Sequence, residues 1–107
     1  MANNSHEWVK VSGNIATVGI SSYAIEQIGE IINIKLPKKG KEVKKSEEIC
    51  VIESTKSAID IHSPLNGKII DVNKELLSNI SLINNDPENK GWLFKVEAKD
   101  INELEKF

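Results

Sequence analysis

The stretch Ile49-Cys50-Val51-Ile52-Glu53-Ser54-Thr55-Lys56-Ser57-Ala58-Ile59-Asp60-Ile61 sets a short polar run between two apolar, β-rich flanks. Both flanks read as half-buried strands, so the polar run reads as the tip of a hairpin. A lysine held out on a rigid turn can be singled out by a modifying enzyme through shape, among the 14 lysines of the chain. The same six residues from Glu53 to Ala58 also describe an ordinary solvated turn. The rest of the chain decides between the two.

The most informative pattern lies on either side of that hairpin. Gly29-Glu30-Ile31-Ile32-Asn33-Ile34 recurs 38 residues later as Gly67-Lys68-Ile69-Ile70-Asp71-Val72. Each copy is a glycine entry followed by a β-rich run. Two copies are too few for a solenoid, and they suggest two related strand units closed on each other. The expected fold is mainly β, a sandwich or flattened barrel with pseudo-twofold symmetry. Lys56, between the copies, falls on a hairpin joining the halves.

Outward from there, His6 to Ile20 alternates around Ser12-Gly13-Asn14 and reads as an opening hairpin. Ser21 or Ser22 can cap a short helix over 22–28 that Gly29 stops. Such a short helix is stable only if Tyr23, Ile25 and Ile28 pack on a sheet. Leu36-Pro37 leads to a turn at Lys39-Gly40-Lys41 and a return at Val43. Ser63-Pro64-Leu65-Asn66-Gly67 is strong turn chemistry. Lys74 to Ser78 can form one helical turn, Leu82-Ile83 a strand, and residues 84–89 an exposed loop. Gly91 to Val96 reads as the closing strand. In the tail, Ile101, Leu104 and Phe107 recur every third residue, which suggests a short amphipathic helix.

Composition narrows the function classes. A chain of 107 residues, taken as one domain over 1–107, can bury roughly two thirds of its surface. With 14 basic and 16 acidic residues the net charge of -2 offers no footprint for nucleic acid or an anionic membrane. The one cysteine, Cys50, excludes an intrachain disulfide and a thiolate metal cluster, and reads as a small core hydrophobe. The first residues have neither a basic region nor an apolar core for export, and no apolar run reaches spanning length. A cytoplasmic, bacterial setting is the expectation.

His6 and His62 lack the paired spacing of a metal site, and no phosphate-cradling loop or nucleophile elbow is present. No metal and no intrinsic catalysis are expected. An exposed lysine is cationic at neutral pH and a poor nucleophile. Catalysis by Lys56 needs burial or a neighbouring cation, whereas the turn supplies Glu53 and hydroxyls. Lys56 therefore reads as the substrate of another enzyme.

At this point six motifs in order resemble one family, the glycine cleavage system H proteins, over roughly residues 5 to 105. They are His6-Glu7-Trp8-Val9, Val18-Gly19-Ile20-Ser21, Leu36-Pro37, Ile52-Glu53-Ser54-Thr55-Lys56-Ser57-Ala58, Asn85-Asp86-Pro87 and Gly91-Trp92. The resemblance implies a barrel-sandwich hybrid of the lipoyl/biotinyl-domain type: two antiparallel sheets, a short helix near 22–28 and a short C-terminal helix. It implies lipoate joined to Lys56 by a lipoate ligase or lipoyl transferase, with Glu53, Ser54, Thr55 and Ser57 as the recognised hairpin.

The resemblance further implies a non-catalytic carrier in glycine catabolism and one-carbon metabolism. The arm accepts the aminomethyl group from the pyridoxal-phosphate-dependent glycine decarboxylase (P protein). The aminomethyltransferase (T protein) takes that group, and dihydrolipoamide dehydrogenase (L protein) reoxidises the dithiol. The arm, on the order of 10–15 Å from bond lengths, presents its sulfurs to each in turn. In the family the loaded arm folds into a cleft near residues matching Ser5, Glu7 and Asp60, where a carboxylate favours a cationic amine.

Departures from the family bear on these expectations. Thr55 and Ser57 stand where an aliphatic residue and alanine are usual, and Ile80 replaces a proline often found before Leu82. The chain ends at Phe107, where family members commonly continue into a longer helix. Shorter H-like relatives can act as general lipoyl carriers or lipoate donors for other complexes, which is the alternative function. A biotin acceptor has a similar fold but commonly flanks its lysine with methionines. An unmodified binding module using the hairpin as a docking surface is the remaining reading.

Overall fold

Trp8 lies across Gly19, and that contact shows how the opening hairpin is locked. Strand β1 (Glu7–Ser12) pairs antiparallel with β2 (Ile15–Ile20), placing Trp8 opposite Gly19. A Cβ on Gly19 would come within 2.4 Å of the indole ring, so only glycine admits it. The indole N–H donates to the Pro87 carbonyl at 2.9 Å, tying the hairpin to a distant loop. The two-residue connection has Gly13 at φ 62, the glycine-first turn that suits strand twist. The structure, a computed structural model, describes residues 6–106.

After β2, the Ser21 hydroxyl accepts the Ala24 N–H at 3.1 Å and caps helix α1 (Ser22–Ile28). Gly29 ends it at φ 86, donating its N–H to the Ile25 carbonyl. The buried face is Ala24 and Ile28, with Ile25 packed beside them. Tyr23, expected to pack, is instead 42% exposed. Ala24 and Ile28 are four residues apart on one stripe, which turns Tyr23 toward solvent.

The chain continues through β3 (Ile31–Lys35), β4 (Glu42–Val43), β5 (Glu48–Ser54), β6 (Ala58–His62) and β7 (Gly67–Val72). Helices α2 (Glu75–Ser78) and α3 (Ser81–Asn85), strand β8 (Phe94–Ala98) and a 3-10 helix (Ile101–Lys106) complete it. One sheet has five strands in the order β1-β2-β8-β7-β4, the other three in the order β3-β5-β6, and every pairing is antiparallel. The core between them includes Val18, Ile20, Ile31, Ile52, Ile61, Ile69, Phe94 and Val96. The mainly β, two-sheet architecture of a barrel-sandwich is therefore present.

The two repeat copies occupy one strand in each sheet. Their registers shift at matching places, between Ile31 and Asn33 in β3 and between Ile69 and Asp71 in β7. The extra residue of each bulge re-phases the strand. Buried positions are consequently three apart rather than two, Ile31 with Ile34 and Ile69 with Val72. The repeated Ile-Ile-polar-aliphatic pattern is the sequence form of that bulge.

Leu82-Ile83, expected as a strand, lies in α3, and Asn84, expected in an exposed loop, is half-buried. The reason is a side chain that replaces a strand. Asn84 accepts the Ile31 N–H on Oδ1 at 2.9 Å and donates Nδ2 to the Ile31 carbonyl at 3.1 Å. One amide thus satisfies the edge of β3, while Ile83 fills the core beside it. The closing strand starts at Phe94 rather than Gly91, although the Leu93 N–H already donates to the Val18 carbonyl. The tail forms a 3-10 helix, whose three-residue turn matches the spacing of its apolar residues. Leu104 is buried there and Ile101 is 62% exposed, so among the described residues Leu104 anchors the tail.

Candidate functional site

The β5–β6 hairpin carries Lys56 at its tip, and the tip is held by a serine. Strand pairing runs to Glu53 opposite Ala58. Beyond it, Ser54 donates its N–H to the Ser57 carbonyl at 2.8 Å. The Ser54 hydroxyl accepts N–H groups from Lys56 at 3.1 Å and Ser57 at 3.0 Å, and donates to the Ser57 carbonyl. Ser54 is only 8% exposed, whereas Thr55, Lys56 and Ser57 are exposed. A shielded hydroxyl bonded to the turn's own backbone fixes the direction in which Lys56 leaves the sheet.

A second element braces the tip. Thr55 donates its N–H to the Glu30 carbonyl at 3.0 Å, linking the hairpin to the α1–β3 connection. A Cβ on Gly29 would stand 3.3 Å from Thr55 Oγ1 and 3.7 Å from Lys56 Cε. The lysine's aliphatic stem therefore runs beside the helix stop. Glu53 accepts from Asn33 Nδ2, with 2.6 Å between the atoms. It braces β5 against β3 across the register pair they form.

From the tip, β6 leads along the margin of its sheet, since it pairs only with β5. Ile61 points inward, and Ala58, Asp60 and His62 fall on the opposite side. At the far end, Glu7 Oε2 accepts the His62 N–H at 2.9 Å and lies 3.2 Å from His62 Nδ1. Glu7, from the other sheet, is thus brought within two residues of Asp60, about 7 Å along the strand. Ala58 to His62 spans about 13 Å, the scale of an extended lysine-linked acyl arm. Ser5 lies outside the described residues.

Beneath this face, Cys50 is buried, and its thiol is pushed up to about 12 by that burial, with the Glu7 carboxylate adding to the rise. A thiol held protonated is a poor nucleophile. Among the described residues, no group of three or more His, Cys, Asp or Glu side chains could hold a metal ion. No helix among them is long and apolar enough to cross a membrane. A groove of about 610 Å³ between β4, β7 and β8, lined by Glu42, Lys44, Glu97 and Lys99, contains none of the site residues. Gly29 and His62 were not singled out as site residues in the sequence. The strand parity of β6 is the signal that puts His62 beside Asp60.

Comparison with known proteins agrees with this geometry. The family model described as glycine cleavage H-protein matches residues 1–107. A glycine cleavage system H protein from Thermotoga maritima is 50% identical over 101 residues, covering 94% of this chain and 82% of the relative. A probable glycine cleavage system H protein 1 from Sulfolobus acidocaldarius is 49% identical, covering 94% of this chain and 72% of the relative. The crystal structure of a glycine cleavage system H protein from Mycobacterium marinum superposes with a TM-score of 0.82 at 32% identity, covering 88% of this chain and 79% of that one. A barrel-sandwich with an exposed lysine on a braced hairpin, matched along its length by these proteins, places the chain in the glycine cleavage H-protein family.

Proposed function

We propose that Lys56 is the lipoyl attachment site and that the chain carries the aminomethyl group of glycine from the decarboxylase to the aminomethyltransferase. Amide-linked lipoate supplies a disulfide able to hold a one-carbon amine and pass it on. The observation that carries the reading is the fixed, exposed Lys56 at the head of a sheet margin that bears Asp60 and is met at its far end by Glu7.

The chain's residues have distinct parts in this reading. Ser54 sets the exit direction of Lys56, and Thr55, Ser57 and Glu53 form the shape that a lipoate ligase or lipoyl transferase reads. Gly29 stops α1 beside the lysine stem. Asp60 and Glu7 place negative charge along the margin. A cationic amine carried there is drawn to the two carboxylates. Lys56 is a substrate rather than a catalytic residue, so the chain is a non-catalytic carrier. Its partners are the decarboxylase, the aminomethyltransferase and dihydrolipoamide dehydrogenase, in the cytoplasm.

Intact mass before and after incubation with a lipoate ligase tests the attachment. Wild type gains one lipoyl group and Lys56→Arg gains none; no gain in wild type, or an equal gain in the variant, overturns it. Glycine-dependent exchange of labelled bicarbonate, with lipoylated chain and decarboxylase, tests the pathway. Exchange no higher than background leaves a general lipoyl carrier instead.

A further inference from the structure

One cluster of titratable side chains crosses between the two sheets away from the hairpin tip. Glu7 begins β1 in the five-stranded sheet, while Glu48 begins β5 and His62 ends β6 in the three-stranded sheet. His62 Nδ1 stands 3.2 Å from Glu7 Oε2, and His62 Nε2 stands 3.6 Å from Glu48 Oε2. The backbone N–H of His62 donates to that same Glu7 oxygen at 2.9 Å. The Glu7 side chain is 23% exposed and that of Glu48 is 63% exposed.

We propose that His62 is the positioning residue for Glu7. This rests on the reading in which Glu7 shelters the cargo of Lys56. A glutamate side chain has three rotatable bonds, so each donor it meets narrows the orientations open to its carboxylate. Two donors from a single residue, both onto Oε2, hold the carboxylate against the open margin of β6. Only the ring donor depends on the identity of residue 62. The contact to Glu48 is longer and reaches a more exposed carboxylate, so Glu7 is the nearer acceptor for a ring N–H. Asp60 flanks the pair on the same side of β6, and the protonated thiol of Cys50 lies beneath it. The negative charge of Glu7 is thereby held at a set place for a cationic amine.

Two measurements test this. In the unmodified protein, nitrogen NMR of the His62 ring is expected to show a proton on Nδ1, and an Nδ1 without a proton overturns the proposal. On the lipoylated, aminomethyl-loaded protein, cargo loss is compared among wild type, Glu7→Gln, His62→Phe and His62→Asn. Phenylalanine keeps the ring and the backbone N–H but removes the side-chain donor, so loss is expected about 3- to 10-fold faster. Asparagine restores a donor near the Nδ1 position and is expected within about twofold of wild type, which a merely structural role would not produce. Equal loss in the Phe and Asn variants overturns the proposal. If Glu7→Gln is fast and His62→Phe matches wild type, only the role of His62 fails; if Glu7→Gln matches wild type, the shelter reading fails with it.

Discussion

The hydroxyl of Ser54 accepts the backbone N–H of Lys56 at 3.1 Å from a position almost closed to solvent. The residue that steers the lysine is thus the buried one beneath it. In Ser54→Ala the N–H groups of Lys56 and Ser57 lose their shared acceptor, at a cost of about 1–2 kcal/mol. Faster hydrogen exchange at those two amides and a several-fold slower lipoylation rate are expected. Unchanged exchange at both amides would show that the tip is rigid without the hydroxyl.

Gly29 combines φ 86 with ψ -166, a conformation that L-residues with side chains avoid. Gly29→Ala is expected to lower stability by about 1–3 kcal/mol in urea titration, from backbone strain alone. The added methyl would press on Thr55 Oγ1 at 3.3 Å and touch the Lys56 stem at 3.7 Å, so the hairpin senses the change. Chemical-shift changes should therefore extend to residues 54–57, and their confinement to α1 would contradict the brace.

Asn84 serves both backbone groups of Ile31 with one side-chain amide. Asn84→Ala is expected to cost about 2–4 kcal/mol, because two half-buried bonds are lost together. Asn84→Asp keeps the acceptor but loses the donor, and should fall between alanine and wild type near neutral pH. Denaturant midpoints for the three proteins give the order.

Cys50 offers a test by pH. Its folded thiol keeps its proton to about 12, against an ordinary value of 9.0, because burial penalises the thiolate. Between those values the unfolded chain binds fewer protons than the folded one, so this group's contribution falls as pH rises from 9.0 to about 12. Cys50→Ala should be less stable than wild type near pH 7 yet lose stability less steeply over that interval. The native thiol should also resist alkylation at pH 8 until the protein is unfolded.

The hairpin that carries Lys56 was legible in the sequence. Hydrophobic runs on both sides of Glu53-Ser54-Thr55-Lys56-Ser57 marked a hairpin, and the family resemblance assigned its lysine. The helix capped by Ser21 and stopped by Gly29 formed as its end signals implied. Less legible were segments whose state depends on a distant partner. Leu82-Ile83 has strand-like residues, but Asn84 takes the place of a strand against Ile31, and that pairing joins residues 53 apart in the chain. Tyr23 was misplaced because its burial turns on which helix stripe meets the sheets.

The sequence by itself determined the β-rich halves, their repeat and the exposed hairpin that carries Lys56, because these follow from local periodicity and turn chemistry. Tertiary structure alone decided how the hairpin is braced and what faces it. Only the packing of one sheet on the other brings Glu7 to His62, 55 residues away, and sets both near Asp60. Strand order and register create that meeting, and neither is a property of any short stretch of chain.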